Sequence, residues 1–212
     1  MIKYLKFDVR AVTLSLSLMD CMSSDLSFLM RRIEHKLRGV LPSFVQAVDD
    51  VADRYQVPIV NKRLSITPLG MLIEPYASSS LDEGRASLIK LSSLIDALAE
   101  ECSIDYVGGL SAHVARGSTL GDRVIISSLA EVLSSTERLF SSINAAQTGL
   151  GVNIDAILEV SRQIKLLSEA TPKGIGCTKL GVFANLPEDV PFMPAAHHGH
   201  NMPEMALHVA IS

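Results

Sequence analysis

Two hydrophobic periods alternate along the chain. Residues 9–18 (VRAVTLSLSL) alternate with period two, the period of a strand. Residues 25–55 then follow a helical period, and the interruption at Gly39 to Pro42 predicts two consecutive helices there. A second strand is expected over residues 57–66. A Ser-rich stretch (ASSSLDEG) leads into a helix over 84–102, followed by a strand ending in DYVGGL, a short helical piece over 121–134 and a strand at RLFSSIN. Asn153 or a neighbour can cap a helix running to Glu169, because a side-chain oxygen there satisfies amides of the first turn. The segment TPKG breaks the chain before the strand TKLGVFAN, and a Pro- and His-rich loop over 187–204 precedes a last strand, ALHVAIS. Repeated strand, helix, strand implies parallel pairing, since a parallel neighbour is reached only through a crossover. No linker divides the chain, so residues 1–212 are expected to form a single α/β domain.

The strand faces carry a second pattern. Side chains alternate across a strand, so Val60, Leu64 and Ile66 share one face with Lys62, while Asn61, Arg63, Ser65 and Thr67 share the other. Val12, Leu14, Leu16 and Leu18 likewise oppose Ala11, Thr13, Ser15 and Ser17. Ser142 and Asn144 oppose Leu139 and Ile143, and His208 and Ser212 oppose Leu207, Val209 and Ile211. Parallel sheets covered on both sides read as continuous apolar runs, so a persistent small or polar face needs a cause. Two readings account for it: a barrel with aliphatic side chains outside and polar groups lining a lumen, or a sheet with one solvated face.

Composition narrows the function classes. Hydrophobic residues make up 48% and charged residues 20%, with a net charge of −4, which excludes global disorder and gives no footprint for nucleic acid. The one basic cluster, Arg31 to Arg38, has Glu34 interleaved and reads as a solvated helix face. No stretch approaches the roughly 18 uncharged apolar residues of a membrane span, and Lys3, Lys6, Asp8 and Arg10 leave no room for a signal-peptide core. A cytoplasmic protein with no nucleic acid or membrane partner is expected. Cys21, Cys102 and Cys177 are odd in number and scattered, which fits reduced thiols better than disulfides or zinc.

Five segments in order, RAVTLSLSLMDC, PIVNKRLSITP, DYVGGLSAHVARG, SSINAAQTGLGVN and VFANLPEDVPFM, resemble the uncharacterised "PFL family protein" group, named for a barrel similar to pyruvate formate-lyase. The resemblance implies a ten-stranded α/β barrel of two parallel five-stranded halves, a homodimer, and no established reaction. Members are about twice this long, so the chain resembles the N-terminal half, with five or six strands in parallel βα units. It departs from the group at Phe140, where a cysteine is expected, and at His197, where an aromatic residue is usual. Glycyl radical chemistry needs a C-terminal glycine and a cysteine on an inner loop, and neither can be placed here.

In α/β barrels reactive groups gather at the C-terminal ends of strands. The candidate site residues are therefore Asp20 and Cys21 after the first strand, Asn61, Arg63, Ser65 and Thr67 on the second, Gly108, Gly109, Ser111 and His113 on the third, Ser142 and Asn144 on the fourth, and Asn185 after the fifth. Arg63 is placed to hold a carboxylate or phosphate, or else to pair with Asp20 or Asp105. Cys21 beside Asp20 is either a nucleophile or an inert buried thiol. Gly108 and Gly109 allow close approach to an anion or mark a bulge. His197, His198, His200 and Glu204 supply metal-ligating atoms without a standard zinc spacing, so no metal is expected, and His198, which fits the group's pattern, stays a catalytic candidate. The GIG at 174–176 precedes a strand instead of following one, so no dinucleotide cofactor is implied. The expectation is a small anionic metabolite bound in the lumen by Asn61, Arg63 and Asn144, with association into a homodimer or with a complementary half-barrel. The competing expectations are a non-catalytic sensor and a structural half-barrel.

Overall fold

A computed structural model of the chain describes residues 8–200 and 202–212. The charges at Lys3 and Lys6 lie outside the described residues.

The elements run β1 (Val9–Leu16), a 3-10 turn (Met19–Cys21), α1 (Leu26–Tyr55), β2 (Ile59–Ile66), α2 (Leu69–Ser79), α3 (Leu81–Glu101), β3 (Tyr106–His113), α4 (Leu120–Ser127), α5 (Leu129–Ser135), β4 (Leu139–Gln147), β5 (Gly151–Val152), α6 (Ile154–Ala170), a second 3-10 segment (Pro172–Lys179), β6 (Leu180–Ala184) and β7 (Met205–Ile211). Their starts are set by local chemistry. Asp25 accepts from the Phe28 amide, Ser80 from Glu83 and Asn153 from Ala156, each filling a first-turn amide that has no carbonyl partner. Thr119 and Asp122 close a reciprocal capping box at α4.

Residues 26–55 form one helix, not the two expected. Leu29, Ile33, Leu37, Leu41, Phe44 and Val48 make an unbroken buried stripe through the interruption. Pro42 points to solvent, where water can satisfy the carbonyl its missing N–H leaves free. The Ser-rich stretch is also no loop. Ser79 ends α2, a helix the sequence pattern does not predict and which carries Pro75 inside it, and Ser80 caps α3.

β1, β2, β3, β4 and β6 are parallel and lie side by side in chain order. Strand order that follows chain order, with right-handed crossovers, places every helix on the same face of the sheet. That is the aliphatic face: Leu14, Leu16, Leu64, Ile66, Val107 and Leu139 join the helix side chains in one apolar cluster. The other two strands are antiparallel, which corrects the all-parallel expectation. β5 is a two-residue ribbon on the end of β4, and β7 pairs antiparallel with β1 because it returns after crossing the sheet. The resulting mixed sheet has seven strands and is open, with β6 and β7 at its edges.

The polar face is neither solvated nor left as a lumen at its centre. The chain between β6 and β7 starts at one edge of the sheet and ends at the other, and it lies across this face on the way. Ser65 Oγ donates to the Val190 carbonyl (3.5 Å), Ser142 Oγ to the Ala195 carbonyl (3.3 Å), and the His198 amide to the Ile66 carbonyl (2.9 Å). Val190 and His197 form a small antiparallel bridge within the crossing segment. Thr13, Ser15, Ser65, Ser111, Ser142 and Asn144 are buried beneath or beside it. Ser65 and Ser142 thus meet a backbone, whose amides and carbonyls need partners once out of water.

Candidate functional site

Where the crossing segment leaves the strand ends, a cavity of about 510 Å³ remains. Pro68 after β2, Ser111 and His113 on β3, Asn144 and Gln147 on β4, Asn185 and Leu186 after β6, and His197 and His200 from the crossing segment surround it. Thr119 and Asp122, at the start of α4, close another side. The cavity therefore opens at the C-terminal edge of the parallel strands, the place where loops and helix starts converge in α/β sheets.

Two imidazoles meet in this cavity. The rings of His113 and His197 are 4.4 Å apart in an edge-to-face arrangement. Burial, with His197 as neighbour, pulls the His113 imidazole down to about 4, and burial also holds His197 below the ordinary histidine range. Both rings are neutral at pH 7. His197 Nδ1 lies 2.9 Å from the Ala195 carbonyl, while its Nε2 has no partner among the described residues. Asn144 Oδ1 accepts the Leu186 amide at 3.3 Å, and Asn185 Oδ1 accepts the Thr148 amide at 2.7 Å, which leaves their amide nitrogens for other contacts. Asp122 is raised above the usual carboxylate range by burial, against the lowering effect of its hydrogen bonds to Thr119.

The structure brings Ser111, Asn144 and Asn185 into this cavity, and Ser142 just beneath it through a 2.9 Å bond to Ser111. It separates the others. Arg63 pairs in register with Tyr106, and the first lining residues, Pro68 and Ser111, come five positions later on their strands, so its Cα sits about 16 Å from the cavity along the strand. There its guanidinium donates to Asn61 Oδ1 (3.0 Å) and lies over the Tyr106 ring, 5.6 Å from its centre. Neither expected ion pair forms: Asp20 binds Lys36 at 2.7 Å, and Asp105 accepts the Lys62 amide. Burial lowers the Arg63 pKa, and its Nε has no partner among the described residues. Asn61 and Arg63 therefore do not share a site with Asn144. Thr67 accepts the Leu18 amide at 2.9 Å and ties two strand ends together, and Ser65 holds the crossing segment.

Asp20 and Cys21 line a different hollow, with Lys36 and Glu204. Burial and the adjacent Asp20 push the Cys21 thiol up to about 11, so it stays protonated at neutral pH. His198 is fully buried, with Nδ1 3.1 Å from Asp189 Oδ1 and Nε2 2.7 Å from the Pro203 carbonyl. Both ring nitrogens are occupied, so the residue clamps the crossing segment and leaves no atom for a substrate or metal. The glycine pair serves both of its structural uses. A Cβ on Gly108 would stand 2.3 Å from the Ala196 carbonyl oxygen, and Gly109, at φ +140°, makes the bulge that shifts the β3–β4 register.

Sequence reasoning did not reach Gln147, Thr119, Asp122, Arg116 or Glu188. The Thr119-x-x-Asp122 spacing is a helix-start signal and would have set a helix N-terminus beside the third strand. Gln147 is the last residue of β4, and Arg116 and Glu188 lie past strand ends, where periodicity stops.

A family profile described as "Uncharacterised ACR (DUF711)" matches residues 1–212. A "UPF0210 protein" of Desulfovibrio desulfuricans is 41% identical over 207 residues, which is 97% of this chain and 43% of that protein. Similar proteins carrying the same name in Acetivibrio thermocellus and Methanocaldococcus jannaschii are each 39% identical over 214 residues, 100% of this chain and 46% of theirs. The chain thus spans about half the length of the curated relatives it matches. None of these matches carries a pyruvate formate-lyase name.

Proposed function

We propose that this chain, which belongs to the uncharacterised DUF711 family, binds a small metabolite in the cavity between its strand ends and the crossing segment. The observation that carries the reading is the convergence of Asn144, Asn185, His113 and His197 on one cavity at the C-terminal edge of five parallel strands. Its size of about 510 Å³ is that of small-ligand sites, and a few placed polar groups among apolar ones such as Met71 and Leu186 suit orientation of a ligand. The anionic class expected from the sequence rested on Arg63, which lies elsewhere on the strand.

Binding without turnover is favoured over catalysis. Among the described lining residues there is no cysteine, and an imidazole held at about 4 is a weak base at neutral pH. The test is a thermal-shift screen of the purified chain against a metabolite library, repeated on Ala115→Trp, which puts an indole into the cavity. A ligand that raises Tm of the natural chain and not of the filled variant supports the reading. Ligands acting equally on both would remove it. Following the amount of any hit over time separates sensing from an enzyme, since only turnover depletes it.

A second reading concerns the open sheet. On β7 the side chains of Met205, Leu207, Val209 and Ile211 are 49%, 64%, 59% and 58% exposed, an apolar strip on an unpaired edge. Such edges are normally covered. This supports a half-barrel of the pyruvate formate-lyase type that closes with a complementary half or a second copy of the chain. Sedimentation of the natural chain and of Leu207→Lys tests it: self-association lost in the variant is the expected result, and a monomer in both cases would argue against a second copy.

A further inference from the structure

Arg63 is a half-buried cation that forms no ion pair among the described residues. The carboxylates nearest to it in the fold are engaged elsewhere: Asp105 Oδ2 accepts the Lys62 amide at 2.8 Å, and Asp49 pairs with Lys62 Nζ at 2.7 Å. Asp105 is close enough to favour the charged guanidinium without bonding to it. A charge drawn partly out of water with no counter-charge costs free energy, and an anion recovers it.

The crossing segment rests on Ser65 and Gly108 and leaves the strand starts to side chains. Arg63 and Tyr106 lie two residues closer to those starts, in register with each other and on the same face as Asn61. The guanidinium stands over the Tyr106 ring, 5.6 Å from its centre, and Phe140 meets that ring edge-on at 5.0 Å. All four side chains are half-buried. Nε of Arg63 is sealed off and out of reach of a ligand. Nη1 is not sealed and has no partner among the described residues, and Nη2 spends one of its two N–H groups on Asn61 Oδ1 at 3.0 Å. Two N–H groups at the far end of the fork therefore remain. Because Asn61 Oδ1 is the atom that accepts, its Nδ2 adds a further donor beside them, and the Tyr106 hydroxyl a third kind. A guanidinium stacked on an aromatic face keeps its in-plane donors for a carboxylate, which matches the fork with two parallel bonds.

We propose that Arg63, Asn61 and Tyr106 form a site for a small carboxylate at the strand starts, held end-on by Nη1 and Nη2 with the apolar body of the ligand against the Tyr106–Phe140 pair. The site is separate from the cavity and does not depend on it.

The test is an NMR titration of the intact ¹⁵N-labelled chain at pH 7 and matched ionic strength with sodium benzoate, benzamide, acetate and inorganic phosphate. Benzamide keeps the shape of benzoate without its charge, and acetate keeps the charge without the ring. Saturable movement of the Asn61 side-chain and Arg63 Nε signals with benzoate, less with acetate and none with benzamide, is the expected result. Arg63→Gln is expected to weaken benzoate by at least about tenfold. Asn61→Asp leaves the cation in place and sets a carboxylate of the same shape on it, so this variant should lose benzoate binding and gain in Tm. Benzoate that moves no signal here, or only signals near the exposed Arg31 and Arg32, overturns the inference. So do an equal response to benzamide, acetate binding as tightly as benzoate, phosphate preferred over both carboxylates, or undiminished binding by Asn61→Asp. None of these outcomes bears on the cavity, whose lining residues lie towards the other end of the strands.

Discussion

His113 contributes to the acid sensitivity of the chain. Its imidazole is held at about 4 by burial and by His197, while in the unfolded chain it takes the ordinary value of 6.5. Between those values the unfolded state binds the proton and the folded state does not, so stability falls as pH drops from 6.5 towards 4 and is fully present above 6.5. Over that window the loss is roughly 3 kcal/mol, and between pH 7 and pH 5 about 2 kcal/mol. Urea unfolding at the two pH values should show this difference in the natural chain and a smaller one in His113→Phe; equal slopes in both would dissociate His113 from the effect. Cys21 offers a second residue-level check. With its thiol at about 11 and its side chain buried, it should resist a thiol reagent in the native chain at pH 8 and react on unfolding. Rapid native labelling of Cys21 would restore it as a candidate nucleophile. Parity along the strands told which face Ser111 and Asn144 occupy, and that was legible in the sequence. It gave no level along the strand axis, which is why Arg63 and Asn144, both on the polar face, were grouped although they lie near opposite ends.

The elements themselves followed from period and caps. Asn153 starts α6 and the alternation of VRAVTLSLSL makes β1, as their side chains require. A single breaker does not end a helix whose buried stripe is continuous: Pro42 in α1 and Pro75 in α2 are both tolerated inside such helices. Nothing in the Pro- and His-rich segment over 187–204 announces that it will lie on a sheet, and the polar strand face suits a lumen or solvent equally well in the sequence because its partner is backbone, which has no sequence signature. The glycine pair records the contact. Gly108→Ala puts a Cβ where the Ala196 carbonyl sits, so it should cost about 2–3 kcal/mol of stability by urea unfolding. A loss below about 0.5 kcal/mol would mean that the crossing segment is not pressed against β3.

At the level of the molecule, helices cover one face of an open mixed sheet, a single chain segment covers the other, and the space left where that segment departs is the candidate site. Among the described residues no helix is long and apolar enough to cross a membrane. Everything proposed for the cavity depends on the segment being docked, because His197, Glu188 and His200 belong to it. The direct measurement is native-state hydrogen exchange at the amides of His197 and His198, which bond to the Val190 and Ile66 carbonyls at 2.9 Å each. Docking predicts that both exchange at least as slowly as the amides of the edge strand β7, opening only with the sheet. Exchange as fast as in an unstructured peptide would mean that the polar face is uncovered in solution, and that the cavity and its imidazole pair do not exist as described.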